Sequence, residues 1–283
     1  MKTSVIFTTY NSPAWLEKVL WGFFCQSVSD FEIIIADDGS TTETRELIEH
    51  LRQDAPIRIK HVWQLDMGFQ KCRILNKAVL AAEGDYLIFT DGDCIPRRDF
   101  IEQHLRHAAP GRYLSGGYFK LPMNISSAIT RKDVYSQCIF SPDWLRKRGM
   151  RIREKSLKLT SRRWVAAVLN ALIPVKRTWN GHNSSCYKSC VLAVNGFDET
   201  MQYGGEDVEF GMRLKNFGIK PKRIRYSSTP LHLDHERGYV TAEMLENNRR
   251  ILERTRRTQS RWTGNGLDKY MSKLDKLAQQ EKG

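Results

Sequence analysis

Short apolar runs alternate along the amino-terminal third of the chain with longer segments in which apolar residues recur every three or four positions. The short runs Ser4–Thr8, Phe31–Ala36 and Tyr86–Phe89 predict buried strands. Ile57–Val62 alternates between apolar and polar residues and predicts a further strand, the third along the chain. The periodic segments predict amphipathic helices over Trp15–Phe24, Thr41–Leu51 and Gln70–Ala82. This succession predicts right-handed parallel crossovers, and therefore an α/β protein with a mostly parallel central sheet flanked by helices.

Beyond residue 97 the elements follow one another less regularly. The pattern predicts helices over Phe100–His107, Cys190–Val194, Gly204–Phe217 and Ala242–Arg257. It predicts strands over Tyr113–Phe119 and Lys222–Tyr226, and a polar loop that leads into a short strand over Asn180–Tyr187. Gly84 is expected to end the third helix in a left-handed conformation.

The segment between Leu121 and Trp179 shows no strand alternation, which predicts an insertion of helices and loops. The chain is therefore divided into 1–120, 121–179, 180–240 and 241–283. The last part is expected to end in a mobile amphipathic helix.

The fourth predicted strand ends in two carboxylates, Asp91 and Asp93, which are separated by Gly92. In open α/β sheets, ligands bind at the carboxyl ends of the strands. Hard oxygen ligands beside a glycine that permits a sharp turn favour a divalent cation that carries phosphates, such as Mg²⁺ or Mn²⁺. Asp-Gly is also a common turn dipeptide, so a simple surface turn is the alternative interpretation.

Two later polar clusters are further candidates for chemistry. Glu206, Asp207 and Glu209 follow two glycines at the start of a predicted helix. The helix dipole accounts for one such carboxylate, whereas three behind paired glycines suggest that the backbone approaches a ligand closely. His232 and His235 are three residues apart, which suits a metal ion but is equally compatible with ordinary histidines.

Charge is the unusual feature of the composition, because 45 Lys and Arg against 32 Asp and Glu give a net charge of +13. Such a charge favours an anionic partner: nucleic acid, acidic lipid or phosphorylated glycan. The six cysteines form no C-x-x-C pair and are interpreted as reduced thiols of a cytosolic protein. Cys186, Cys190 and His182 are regularly spaced, but no fourth zinc ligand is evident.

Membrane insertion is not predicted. Met1–Thr8 lacks the apolar region of a signal peptide, and the apolar run Trp164–Val175 is shorter than the roughly 20 residues that span a bilayer. Many Lys and Arg lie between Arg146 and Arg163, beside apolar residues such as Trp164 and Val168. This mixture suits contact with an anionic membrane surface, and a solvated helix face is the alternative.

Four motifs in order resemble the family 2 glycosyltransferases of the GT-A fold. They are VIFTTYN (Val5–Asn11), IADDGS (Ile35–Ser40), NKAVLAAEGDYLIFTDGDCIP (Asn76–Pro96) and NGFDETMQYGGEDVEF (Asn195–Phe210). The GGED element is similar to the carboxyl-terminal region of galactosyltransferases and capsule chondroitin polymerases. The resemblance runs from Lys2 to about Gly238, except between Leu121 and Trp179. Tyr203 departs from the tryptophan of many members.

The resemblance implies a UDP-sugar donor bound by the first half of the chain, 1–120. Thr8, Tyr10 and Asp38 match positions that hold the base and ribose, with Asp38 accepting from the uracil ring. Further donor-binding positions implied by the resemblance are Asn11, Arg73, Asp91, Gly92, Asp93, Asn183 and Gly205.

The resemblance also implies the catalytic and metal-binding residues. Asp207 matches the catalytic base and Glu206 a carboxylate that binds the acceptor, which makes 180–240 the acceptor and catalytic half. The implied ligands of Mn²⁺ or Mg²⁺ are Asp93, Asp91, His235 and His232. Inverting transfer needs one base for the acceptor hydroxyl and a cation for the departing diphosphate.

The expected acceptor is a glycan or glycolipid of a bacterial surface, such as lipopolysaccharide core, O-antigen or capsule. The expected location is the cytoplasm, peripheral to the inner face of the cytoplasmic membrane, and no nucleic-acid partner is expected. Two alternatives stay open: a sugar nucleotidyltransferase, although the chain lacks a glycine-rich basic loop after its first strand, and a basic nucleic-acid-binding protein. A haloacid-type phosphatase also uses two aspartates separated by one residue (D-x-D), but it carries this pair after its first strand, whereas Asp91 and Asp93 follow a later strand.

Overall fold

A computed structural model of the chain describes residues 1–151, 154–160, 162–174, 178–235 and 240–270. The strands in these ranges are β1 (Thr3–Thr9), β2 (Glu32–Asp37), β3 (Arg58–Trp63), β4 (Tyr86–Asp91), β5 (Cys94–Ile95), β6 (Arg112–Ser115), β7 (Phe119–Lys120), β8 (Asn183–Tyr187), β9 (Lys220–Arg223) and β10 (Leu231–His232). Seven of them form one sheet in the order β3-β2-β1-β4-β8-β6-β9, and the other three form a small sheet in the order β5-β10-β7.

The predicted α/β architecture is confirmed. Strands β1 to β4 pair in parallel, as their alternation with helices requires. Strand β8 then pairs antiparallel with β4 on one side and with β6 on the other, so the sheet is mixed. This order places the start of β8 beside the end of β4, where Thr90 and Asn183 are register partners.

Helices cover the sheet and fill most of the segment between β7 and β8. The α-helices are α1 (Pro13–Phe24), α2 (Thr42–Gln53), α3 (Lys71–Ala81), α4 (Phe100–His107), α5 (Met123–Ala128), α6 (Arg131–Tyr135), α7 (Pro142–Lys147), α8 (Arg163–Leu172), α9 (Lys188–Ala193), α10 (Glu206–Asn216) and α11 (Ala242–Thr258). Two 3-10 helices, Cys138–Phe140 and Glu154–Leu159, join the helices between β7 and β8. No helix in the described ranges is long and apolar enough to cross a membrane.

The core lies on both faces of the sheet because the side chains of the central strand alternate. Val5 and Phe7 of β1 point into one core, and Ile6 points into the other. Leu121 and Ile125 belong to the same core as Val5, although they lie in the segment between Leu121 and Trp179. The first part of this segment is therefore packed against the parallel strands.

Two predicted strands differ from the structure. The predicted strand Tyr113–Phe119 is divided into β6 and β7, which belong to different sheets. The division occurs at Gly116, where an added Cβ would lie 2.2 Å from the Asn183 side chain, so the backbone packs against that residue instead of continuing. The late strand predicted over Lys222–Tyr226 is β9, which begins two residues earlier.

Gly84 has a different role from the one predicted. It is not among the glycines with positive φ, and α3 ends at Ala81, followed by Ala82 in an extended conformation. A Cβ at Gly84 would lie 2.5 Å from the Ser4 backbone nitrogen, so close packing against β1 requires the glycine. The predicted carboxyl-terminal helix beyond residue 270 lies outside the described residues.

Candidate active site

The carboxyl ends of β1 and β4 form the floor of a polar cleft. Thr8 and Asp91 are register partners there, and the Thr8 hydroxyl donates to the Asp91 carboxylate over 3.3 Å. The backbone of Gly92 donates to the Thr8 carbonyl over 2.8 Å. A Cβ at Gly92 would lie 2.6 Å from that carbonyl oxygen, so any larger residue would displace the turn between the two aspartates.

Asp93 faces two histidines from the other end of the chain. Its Oδ2 atom lies 3.1 Å from His235 Nε2 and 3.6 Å from His232 Nε2. His232 Nδ1 lies 2.7 Å from the Leu233 carbonyl. Because a carbonyl can only accept a hydrogen bond, Nδ1 carries the hydrogen of the neutral ring. The lone pair is therefore on Nε2, which faces Asp93. This arrangement has the donor set and the tautomer that a divalent metal ion needs.

Asp91 has another partner. Its Oδ1 atom accepts from Lys71 Nζ over 2.8 Å, and Asp91 is not in the group of Asp93, Cys94 and His232 whose donor atoms all lie within 4.8 Å of one another. Burial raises the pKa of Asp91, but Lys71, His182 and His232 outweigh burial and lower it to about 2. Asp91 is therefore ionised at neutral pH, and its assignment as a metal ligand stays a prediction.

Helix α10 presents the second acidic cluster to the same cleft. It begins after Gly205, which has a φ of 94°. Asp207 Oδ2 accepts from the Gly181 backbone N–H over 2.8 Å, and Asp207 Oδ1 is buried without a hydrogen-bond partner in the described residues. Glu206 accepts from the Gly204 N–H over 2.9 Å. The two neighbouring carboxylates thus have different environments.

The pKa of Asp207 is raised to about 7 by burial, with further contributions from the nearby carboxylates of Glu206 and Asp91. Lys71 and the Gly181 N–H oppose the shift. A carboxylate with this pKa can take a proton from a hydroxyl at neutral pH and hold it. The unpartnered Oδ1 atom is the position at which such a hydroxyl would donate.

A third set of polar residues lies beyond the ends of β1 and β2. Asp38 accepts from Gln64 Nε2 over 2.6 Å and from the Gln70 N–H over 2.8 Å. Burial raises its pKa to about 6 against these hydrogen bonds. The half-exposed Tyr10 donates its hydroxyl to Asp66, and Asn11 accepts from the Thr41 N–H. Together these groups form a rim suited to a planar polar ring.

The family model for glycosyl transferase family 2 matches residues 4–161, more than half of the chain. The chain belongs to glycosyltransferase family 2. The resemblance drawn from the four motifs is thereby confirmed.

Individual relatives are distant. The chain is 28% identical over 255 residues to a validoxylamine A glucosyltransferase of Streptomyces hygroscopicus, with 83% of this chain and 56% of the relative covered. It is 26% identical over 238 residues to chondroitin synthase of Escherichia coli, with 76% and 32% covered. The chain thus spans about half or less of the length of these relatives.

Solved structures with the same fold include two that contain nucleotide sugars. The mannosyltransferase PcManGT of Pyrobaculum calidifontis, in complex with GDP-Man and Mn²⁺, has a TM-score of 0.57 at 18% identity, with 84% of this chain and 58% of that chain covered. Staphylococcus aureus TarS 1-349 in complex with UDP-GlcNAc has a TM-score of 0.55 at 18% identity, with 89% and 65% covered. These similarities establish the GT-A fold of this family 2 glycosyltransferase.

Lys71 is a residue of the site that sequence reasoning missed. Burial lowers the pKa of Lys71, but Asp91, Asp207 and Glu206 outweigh burial and raise it well above its ordinary value. The charged amine of Lys71 therefore lies between Asp91, at the end of β4, and the start of α10. A lysine in the first turn of an amphipathic helix suggests a residue that faces solvent. Only the position of Lys71 shortly after Gly68, near the strand ends, indicated that it could belong to the site.

Two predicted donor-binding residues of this glycosyltransferase are in other environments. The Asn183 amide is fully buried and donates to the carbonyls of Gly117 and Ser228, and His104 lies 3.0 Å from its oxygen. Asn183 therefore supports the loops around the cleft from inside the protein, and its assignment as a donor ligand stays a prediction. Arg73 lines a cavity of about 320 Å³ beside α3, together with Gln70.

Proposed function

We propose that this protein is a metal-dependent inverting glycosyltransferase that moves a sugar from a UDP-sugar to a hydroxyl of a bacterial surface glycan. The observation that carries the proposal is the buried, unpartnered Oδ1 of Asp207, in the same cleft as the D-x-D strand end. One base opposite one diphosphate site suffices for a single displacement at the anomeric carbon. Asp207 is that base, and Glu206 binds the acceptor.

The donor lies along the carboxyl ends of β1, β2 and β4. Asp38 accepts from the uracil ring, Tyr10 and Thr8 contact the base and ribose, and Gly92 lets the backbone approach the diphosphate. TarS has been crystallised with UDP-GlcNAc and with UDP, which supports a uridine donor, whereas the GDP-Man complex of PcManGT keeps the guanosine alternative testable.

Asp93, His232 and His235 hold Mn²⁺ or Mg²⁺, because their donor atoms face one another at the end of β4. When bound, the ion supplies positive charge that stabilises the departing diphosphate. Lys71 adds a second positive charge beside Asp91, and its ion pair keeps that carboxylate oriented. The Mn²⁺ in the PcManGT complex supports the choice of ion.

A donor panel tests the proposal. The protein is incubated with UDP-glucose, UDP-galactose, UDP-GlcNAc, UDP-GalNAc and GDP-mannose, with Mn²⁺ or with EDTA, and nucleotide release is measured. We expect release from one UDP-sugar, dependent on the metal and stimulated by a lipid-linked or core oligosaccharide. Release from GDP-mannose alone would contradict the uridine donor, and equal release in EDTA would contradict metal dependence.

Helix α8 is the basis for a proposed membrane contact. Trp164, Val168 and Leu172 recur every fourth residue and are 67%, 46% and 74% exposed. Ala166 is buried on the opposite side, and Asn170 bonds to Ser227 there over 2.9 Å. The outward face is apolar and begins at arginines, as in helices that lie on anionic lipid. We therefore place the enzyme at the cytoplasmic membrane, on its inner face.

Vesicle binding tests this surface. Replacing Trp164, Val168 and Leu172 by glutamine should weaken sedimentation with phosphatidylglycerol vesicles at least about tenfold, because each buried apolar side chain contributes about 1.5–3 kcal/mol. The matched control replaces Phe217 and Leu245, which are exposed to a similar extent elsewhere, and should bind as the wild type does. Undiminished binding of the triple variant would show that the apolar face of α8 does not contact the membrane.

A further inference from the structure

A cysteine lies at the proposed metal position. Cys94 directly follows Asp93 and is the register partner of His232 in the antiparallel pair of β5 and β10. Residues directly opposite in an antiparallel pair project to the same face of the sheet. The thiol sulfur, an Asp93 carboxylate oxygen and a His232 ring nitrogen accordingly lie within 4.8 Å of one another.

The surroundings of Cys94 differ from those of the other buried cysteines. Cys72, Cys186 and Cys190 belong to the apolar core on one side of the sheet, where a thiol acts as a small apolar group. Cys94 is fully buried yet belongs to neither apolar core, and its S–H donates to Asp93 Oδ1 over 3.4 Å. Its sulfur therefore faces polar donor groups.

We propose that Cys94 is a direct ligand of the metal ion in addition to Asp93, His232 and His235, so that the site mixes oxygen, sulfur and nitrogen donors. The inference rests on the proposed metal dependence and adds the identity of a ligand. When the ion binds, the S–H bond breaks, its electron pair stays on sulfur to form the metal–sulfur bond, and the proton leaves to the buffer.

A thiolate changes which ions the site prefers. Sites built from oxygen alone suit Mg²⁺ and Mn²⁺, whereas thiolate and imidazole together favour Zn²⁺ and Co²⁺. Zn²⁺ should therefore displace Mn²⁺ from this protein at a much lower concentration than Mg²⁺ does. Cys94 thus makes the metal site prefer ions such as Zn²⁺ and Co²⁺, in addition to its role in holding Mn²⁺.

Cobalt spectroscopy tests the ligand without measuring activity. Adding Co²⁺ to the wild-type protein should produce a thiolate-to-cobalt charge-transfer band in the near ultraviolet. Cys94→Ser and Cys94→Ala should lack the band, and Cys138→Ser, which removes a thiol elsewhere, should keep it. In competition with a chelating dye, both Cys94 variants should bind Zn²⁺ at least about 10–100 times more weakly, the loss usual even for outer-shell partners.

The outcomes separate the ligand from the enzyme's function. If Co²⁺ binds without the band, and His232→Ala abolishes that binding, Cys94 is not a ligand while the proposed metal site stands. If no divalent ion binds the folded wild-type protein, both the ligand and the metal dependence are overturned. Thermal unfolding of each variant, compared with the wild type, identifies any loss of binding that reflects misfolding.

Discussion

Asp207→Asn should lower kcat by about 10²–10⁴-fold and leave donor binding intact, because the amide keeps the shape of the carboxylate but cannot take a proton. Asp207 Oδ1 is the buried oxygen without a partner, and Gly181 orients the other oxygen. Transfer is measured with the active UDP-sugar and its acceptor, and donor affinity is measured separately by calorimetry. Unchanged turnover would remove Asp207 as the base.

The pH profile gives a second readout of the same residue. Burial and the neighbouring Glu206 raise the pKa of Asp207 to about 7, so the free enzyme carries a protonated, inactive Asp207 below that pH. The wild-type kcat/KM should rise as the pH increases through about 7 and then level off. Glu43→Gln, in the exposed first turn of α2, is the matched control and should leave both rate and profile unchanged.

Arg213→Ala should lower the free energy of unfolding by about 3–5 kcal/mol, because it leaves a buried carboxylate without its counter-charge. Arg213 is fully buried in α10, where its guanidinium donates to both oxygens of Glu209 and to the Val194 carbonyl. Thr255 of α11 donates to the same carboxylate over 3.0 Å. Urea unfolding followed by circular dichroism measures the change.

A double substitution separates charge from packing. Arg213→Met together with Glu209→Leu removes both charges and keeps most of the volume, so it should be clearly more stable than Arg213→Ala. The exposed pair of Arg249 and Glu246 in α11 is the comparison, and Arg249→Ala should cost less than about 1 kcal/mol. A loss below about 1 kcal/mol for Arg213→Ala would show that the pair does not stabilise α10.

The sequence predicts those parts of the fold that rest on local patterns. The run Tyr86–Phe89 has apolar residues on both faces, so it must be a buried strand, and the carboxylates after it must lie at the sheet's carboxyl edge. The two-residue strands β5, β7 and β10 are too short to leave any periodic trace. Asp93 and His232 were predicted from the sequence, but the place of Cys94 beside them became visible only when its pairing with His232 was known.

The side chains that pair across the cleft were the part of the site that the sequence could not predict. Lys71, Gln64 and Asp66 have no motif of their own, and each acquires its role from a residue more than 15 positions away along the chain. Asn183 shows the converse case. A polar residue in a motif-rich stretch suggests a ligand. The side-chain amide of Asn183, however, donates its hydrogen bonds to two backbone carbonyls. Burial decides such cases, and burial depends on tertiary structure.

The packing of Leu121 and Ile125 into the core beside Val5 bears on attempts to build chimeric enzymes. A transplant of the whole stretch between Leu121 and Trp179 from a relative would exchange inner apolar side chains that were selected against a different sheet, and overpacking of this kind costs about 1–3 kcal/mol. Grafts should therefore retain the inward-facing positions of this protein. Only the outward positions are free to be recombined.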